Sequence, residues 1–514
     1  VVFIPNPLPE ALPYTAELGF LPFELGWPDD PGSGNIFPII ATNGLLYRPR
    51  IAFTNAVLAC HTRLFTPRPI ANVGYEGWNL ANVTKLIDAV GLPATVTPYT
   101  VAEIKAGLSG RPLARFVRGW NAYSRGELQR TAKTASLKHN ETLPYKKGGL
   151  RPRVIIAVDP RSVAAVQPFV KGASRYLRET LSGHSFEFRG QSFTVFFAYG
   201  QSAEGLSALY ARSRATSGWV LWIAGDDSLI FTPEGRMYEG DFGGFDSTQG
   251  LEAHEAQFLF YQAIGAPDWV IDILRTELVK PVRIFWRPTR ACPTPGYVAG
   301  GHGKRVTGGA DTTVGNSTVH FLSVVLAISE CEEATASSIS TVLGERYGLD
   351  FVLEEVDHPT FLRGWFIDGT WLPLPSMVLK LGKSMTNPSN IVSKADALDA
   401  PRTYALVAKA LALSPGPVPD SYPILGSFIR ALLRSGEGLD GIPSVRTEAY
   451  RPTMNELAVV SRTRALEMVE LRYGITAQAV AEVEALFDEV DALPAFVNHP
   501  ALARLAEVDY SHHA

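Results

Sequence analysis

Cysteine is nearly missing from this chain: Cys60, Cys292 and Cys331 are the only three in 514 residues, far apart and without a C-x-x-C. That scarcity excludes a disulfide framework and a cysteine-based zinc site, and it suits a reducing compartment. Long apolar runs are missing too. A transmembrane helix needs about 20 successive apolar residues; residues 320–329 are too short, so no membrane span is expected. The opening VVFIPNPLPEALPY has no basic n-region, which argues against a signal peptide. It also has no Met, as expected of a processed or trimmed N-terminus. No internal repeat is found. A net charge of −4 is no surplus of the kind that announces a nucleic-acid binder.

What is present is a globular composition. Hydrophobic residues make up 46% and charged residues 19%, enough for a large core. The length alone allows about three domains. Residues 1–50 are rich in Pro and Gly and read as an extended arm that needs other parts to pack on. Helical patterns follow at 81–90 and 101–108. From 111 to 153 eleven basic residues face only Glu127 and Glu141, a local net of +9. Acids between 467 and 491 offset them. A basic zone inside a mildly acidic protein suits a charged channel better than a uniformly sticky surface. After about 385 the pattern turns helical, at 406–413, 424–434, 455–473 and 477–493.

The most informative stretch is 219–250, WVLWIAGDDSLIFTPEGRMYEGDFGGFDSTQG. An apolar run, the turn Gly225-Asp226-Asp227 and a second apolar run predict a β-hairpin with two Asp at its tip. A second strand, 237–240, delivers Asp241, and Asp246 follows five residues later. A helix is expected from Ser247 and Thr248 through about 263. Two carboxylates about 4 Å apart repel by roughly 4 kcal/mol at an effective dielectric of 20. No Lys or Arg lies between 219 and 232 to offset them. A divalent cation is the simplest remedy, because Mg²⁺ takes one or two carboxylates together with phosphate oxygens. An isolated Gly-Asp-Asp is equally the signature of a solvated turn.

Residues 307–317, TGGADTTVGNS, supply the third piece. Its glycines let a backbone loop approach a ligand closely. Thr312 and Asn316, four apart, stack on one helix face. Upstream, KKGGLRPRVII carries Lys146, Lys147, Arg151 and Arg153 into a β-branched strand. A protected edge strand would look the same.

Together these residues resemble the palm of viral RNA-dependent RNA polymerases. Asp241-x4-Asp246 is similar to motif A, Thr307-Gly308-x3-Thr312-x3-Asn316 to motif B, and Gly225-Asp226-Asp227 to motif C. The order is C, A, B rather than A, B, C, as in permutotetravirus and birnavirus polymerases, and the GDD leans to the permutotetravirus side. A short link at 232–236 makes that order feasible if the hairpin and the next strand are neighbours. Arg151 and Arg153 resemble motif F. Phe361-Leu362-Arg363 resembles motif E, which would make Leu362 and Arg363 supports of the primer end. Motif D commonly carries a Lys; none lies between 347 and 360, and His358 is the nearest candidate general acid.

The resemblance implies an α+β, right-hand fold. Residues 1–110 would form an N-terminal arm and fingers extension, 111–215 the fingers with motif F, 216–384 the palm and 385–514 a helical thumb. It implies two Mg²⁺ ions, with Mn²⁺ a candidate substitute, held by Asp241 and Asp226 with Asp227 in support. The NTP would meet Arg151, Arg153, Gly308 and Thr312, its ribose Asp246 and Asn316. RNA template and nascent RNA are the implied partners, and a host's cytoplasm or a virion the implied location. Another palm nucleotidyltransferase, or a non-catalytic RNA-binding relic, are the alternatives.

Overall fold

The computed structural model describes residues 2–4, 36–42, 46–47, 59–60, 63, 76–128, 130–138, 143–144, 153–284, 296–298, 303–385, 400–413, 418–435 and 459–511. The fold is mixed α/β around one six-stranded sheet. Its strands are β1 (His184–Phe188), β2 (Gln191–Phe197), β3 (Trp219–Ala224), β4 (Asp227–Phe231), β5 (Met237–Phe242) and β6 (Phe351–Glu355). They lie side by side in the order β6-β5-β4-β3-β2-β1. All neighbours are antiparallel except β2 and β3, which the helix Ala203–Arg214 joins in parallel.

Both faces of this sheet are covered, and β3 shows why its run is uninterruptedly apolar. Trp219, Leu221 and Ile223 face one core, while Val220, Trp222 and Ala224 face the other. Side chains alternate along a strand, so burial on both sides demands apolar residues at every position. The first core is built with helices α1 (Leu80–Val90), α2 (Leu251–Ala263), α3 (Thr312–Glu330) and α4 (Ala336–Tyr347). The second lies under a small antiparallel sheet of Thr360–Phe361, Gly364–Ile367 and Thr370–Pro373 and under the C-terminal helices. Those helices are Ala400–Leu413, Leu425–Ser435, Arg462–Tyr473, Ala477–Asp488 and Pro500–Ser511.

One sequence expectation shifts by a few residues. The helix expected to open at Ser247 is a short turn, Phe245–Thr248, and then α2 after Gly250. The helix Asp268–Val279 follows, with Pro267 at its cap position. α4 starts at Ala336, where Thr335 and Ser338 form a reciprocal cap.

One expectation changes more. Among the described residues α3 is long and apolar enough to cross a membrane. Here it is the core helix: every residue from Val314 to Ile328 is buried, including Asn316, Ser317, Thr318, His320 and Ser323. Cys60 and Cys331 are free thiols.

The basic zone divides. Arg111, Arg115 and Arg118 lie along one exposed stripe of the helix Gly110–Ser124. Lys133 instead is 1% exposed, donates to the Leu278 carbonyl at 2.9 Å, and is pushed down to about 8 by burial. It adds nothing to a charged surface. The described parts of the N-terminal arm pair with distant segments: 40–42 with Ala495–Val497, 36–38 with Lys383–Met385, and 46–47 with 143–144.

Candidate active site

Register brings the carboxylates together. Ala224 pairs with Asp227, so only Gly225 and Asp226 make the turn between β3 and β4. Gly225 has φ 69°, the left-handed value that a tight hairpin turn of this length asks of its first residue. Asp226 is thereby carried at the tip and Asp227 at the head of β4. The next hairpin, through 232–236, pairs Ser228 with Gly240. One further step in that register puts Asp227 level with Asp241. Met237, Glu239 and Asp241 alternate onto the second face, as do Asp227, Leu229 and Phe231. Neighbouring strands lie about 4.8 Å apart, so one short turn is enough to bring Asp227 level with Asp241.

Asp226 responds to this crowding. Burial, and then the Asp241 and Asp246 charges, hold its carboxyl above the usual carboxylate range, with Arg153 opposing. The residue itself stands exposed at the hairpin tip. Among the described residues no three Asp, Glu, His or Cys side chains form a ready-made metal cage. A pair of carboxylates still fits a hard divalent ion whose other ligands are water and phosphate oxygens.

Helix α3 supports the hairpin from below. Ser317 Oγ accepts from the Gly225 N–H at 3.1 Å. His320 Nδ1 lies 3.0 Å from the Gly225 carbonyl and Nε2 3.1 Å from Ser228 Oγ. A carbonyl can only accept, so Nδ1 carries the proton and Nε2 accepts from Ser228. Burial pushes His320 down to about 4, with Gly225 and Asp241 opposing, so this imidazole is neutral at pH 7. One turn earlier Asn316 Nδ2 donates to Asp246 Oδ1 at 2.8 Å. The two residues singled out for the ribose are therefore in contact, 70 positions apart in sequence.

The loop before α3 packs against a strand. Gly308 bridges to Ala157. A Cβ at 308 would stand 2.3 Å from the Ile156 carbonyl oxygen. The close approach that Gly308 makes is to a strand, Val154–Ala157. Thr307 Oγ1 accepts from the Ile156 N–H at 2.9 Å. Thr312 Oγ1 donates to the Val306 and Gly309 carbonyls at 2.8 and 3.2 Å and so closes the loop on itself. Because that strand begins just after Arg153, the loop also sets where Arg153 stands. Arg151, Lys146 and Lys147 lie outside the described residues.

Val352 is level with Asp241, whereas the Val356 N–H bonds the Met237 carbonyl, four strand residues or about 13 Å further along. His358 follows, exposed, in the link to Thr360. Leu362 and Arg363 form a two-residue hairpin turn with φ of 51° and 60°. Leu362 is buried in the second core and acts through packing, while Arg363 is exposed. Glu239, on the same face as Asp241, accepts from the Thr360 N–H at 2.8 Å and ties this small sheet to β5.

Sequence reasoning passed over Ser317, His320, Gln249 and Arg305. The signal for the first two was present: Asn316, Ser317 and His320 are polar residues inside an otherwise apolar helix. No family model matches the chain, and no curated protein matches it.

Proposed function

We propose that this chain is a palm-type, template-directed nucleotidyltransferase with a right-hand arrangement of fingers, palm and thumb. More particularly, we infer an RNA-dependent RNA polymerase whose motifs run C, A, B and which extends RNA from NTPs. The observation that carries this reading is the meeting of Asp226 and Asp241, at the ends of adjoining strands, with Asp246 from the short helical turn that follows β5, and with Arg153 in electrostatic range.

Asp226 and Asp241 would hold Mg²⁺, with Asp227 beside them. Bound there, the metal supplies charge stabilisation at the reacting phosphate and makes a hydroxyl easier to ionise. The protein's own part is mainly positioning and electrostatics. Arg153 would meet the triphosphate, for which a planar guanidinium can make two bonds at once. The exposed stripe of Arg111, Arg115 and Arg118 would take nucleic-acid phosphates without regard to sequence. Asp246 and Asn316 would read the 2′-hydroxyl, a site that penalises any sugar lacking it. That pair favours this reading over a reverse transcriptase.

The test is primer extension on a homopolymeric RNA template, with and without Mg²⁺. Extension is expected only with the metal. The double substitution D226N/D227N should abolish it while RNA binding survives. RNA binding by the wild-type chain without any extension would leave only an RNA-binding relic.

A further inference from the structure

We infer that Gln249 and Arg305 are positioning residues for sugar choice: they dictate which way the Asn316 amide faces Asp246. This rests on the ribose-reading role proposed above. Arg305 is 2% exposed. Its Nε and Nη2 both donate to Gln249 Oε1, at 2.9 and 2.6 Å. The guanidinium is anchored further by Gln257 Oε1 at 2.5 Å and Asp311 Oδ2 at 3.2 Å. Gln257 is locked in turn, because its Nε2 donates to Asp311 at 2.9 Å.

A guanidinium has donors only, so the Gln249 atom it faces must be the oxygen. Gln249 Nε2 is then left to face Asn316, and it donates to Oδ1 at 2.9 Å. Asn316 Nδ2 must consequently point to Asp246, where it donates to Oδ1 at 2.8 Å. Each link permits one orientation of the next. The Arg305 N–H also donates to the Asp246 carbonyl at 3.0 Å, so one residue holds both members of the pair. Gln249 is fully buried and Asn316 is 8% exposed, so water does not compete along the chain.

The consequence is chemical. A ribose 2′-hydroxyl both donates and accepts. A carboxylate beside an amide N–H offers the matching pair. A reversed Asn316 would turn its carbonyl to the carboxylate, and two acceptors would then repel each other. Neither Gln249 nor Arg305 need touch the sugar to govern whether it is recognised.

The substitution Gln249→Glu tests this in the full-length chain. It keeps an oxygen for Arg305 but presents Asn316 with an acceptor where it now meets a donor. Primer extension is measured with an NTP and with the matching dNTP. The kcat/KM ratio of NTP over dNTP should fall at least about tenfold, through a higher KM for the NTP and with dNTP use unchanged. Equal loss for both substrates would mean a merely structural role and would overturn the proposal. N316A calibrates the direct reader. If N316A collapses the ratio and Q249E does not, the relay is wrong and the ribose reading stands. If N316A leaves the ratio intact, or the wild-type chain extends no primer, the ribose reading fails and the relay with it. Should Q249E not fold, Arg305→Lys keeps the buried cation but loses the fork; it must lower the ratio in the same direction, and an unchanged ratio overturns the proposal equally.

Discussion

His320 shows how one buried side chain ties pH to stability. Its pKa in the folded protein is about 4, against about 6.5 when unfolded. Between those values the unfolded chain binds a proton at this position that the folded chain does not. Stability therefore falls as pH drops from about 6.5 towards 4, by up to about 3 kcal/mol from this group. Urea midpoints at pH 7.5 and 4.5 should differ more in the wild-type chain than in His320→Gln, which cannot take up the proton. His254 is also buried and held well below the usual range, but it is common to both chains and cancels. A wild-type and variant pair with the same pH dependence would remove the neutral-histidine assignment. The residue scale also holds a departure from sequence expectation. Lys133 counted towards the basic zone and is interior. That outcome depends on strand pairing made by residues far along the chain.

The loop at 307–312 and the turn at 362–363 make predictions of their own at the level of elements. Gly308→Ala would force a methyl against the Ile156 carbonyl. It should destabilise the protein by about 1–3 kcal/mol and raise the KM for NTP, because Arg153 immediately precedes the strand on which the loop rests. Thermal melts and NTP titrations check both effects. Leu362 and Arg363 occupy the left-handed region without being glycine, at a cost of roughly 1–2 kcal/mol per residue. Arg363→Gly should accordingly raise stability by about 1 kcal/mol, and reduce extension from an annealed primer if the turn supports the primer end. A stability gain with extension unaltered would detach this turn from function. The elements themselves were mostly legible: the two-Asp turn, the strand expected at 237–240 and found at Met237–Phe242, and the helix after 312 all follow from local turn chemistry and apolar periodicity. Their ends were less so. The helix expected to open at Ser247 stops at Thr248 and restarts after Gly250, a residue unfavourable inside a helix.

Across the whole molecule, the arm and the basic stripe are the features to test. Residues 36–42 pair with Lys383–Met385 and Ala495–Val497, and Ile39 and Ile40 are fully buried in the second core. Deleting residues 1–47 should therefore lower the melting temperature of the C-terminal helices, measured by calorimetry. Replacing Arg111, Arg115 and Arg118 by Gln should weaken RNA binding at low salt. It should also flatten the dependence of log K on log salt by about 0.7 for each single-strand phosphate that is no longer neutralised. An unchanged salt slope would take the stripe out of the RNA path.

By itself the sequence determined which residues could carry the chemistry, because carboxylates at strand ends, glycine at a tight turn and polar residues in an apolar helix are local patterns. Only the tertiary structure decided that Asp226, Asp241, Asp246 and Asn316 come together, and that Gln249 and Arg305 stand behind Asn316. Sheet order and cross-strand register follow from the packing of both sheet faces at once. A hydrogen-bond relay whose Gln249 and Arg305 are 56 positions apart has no local spacing by which to be read.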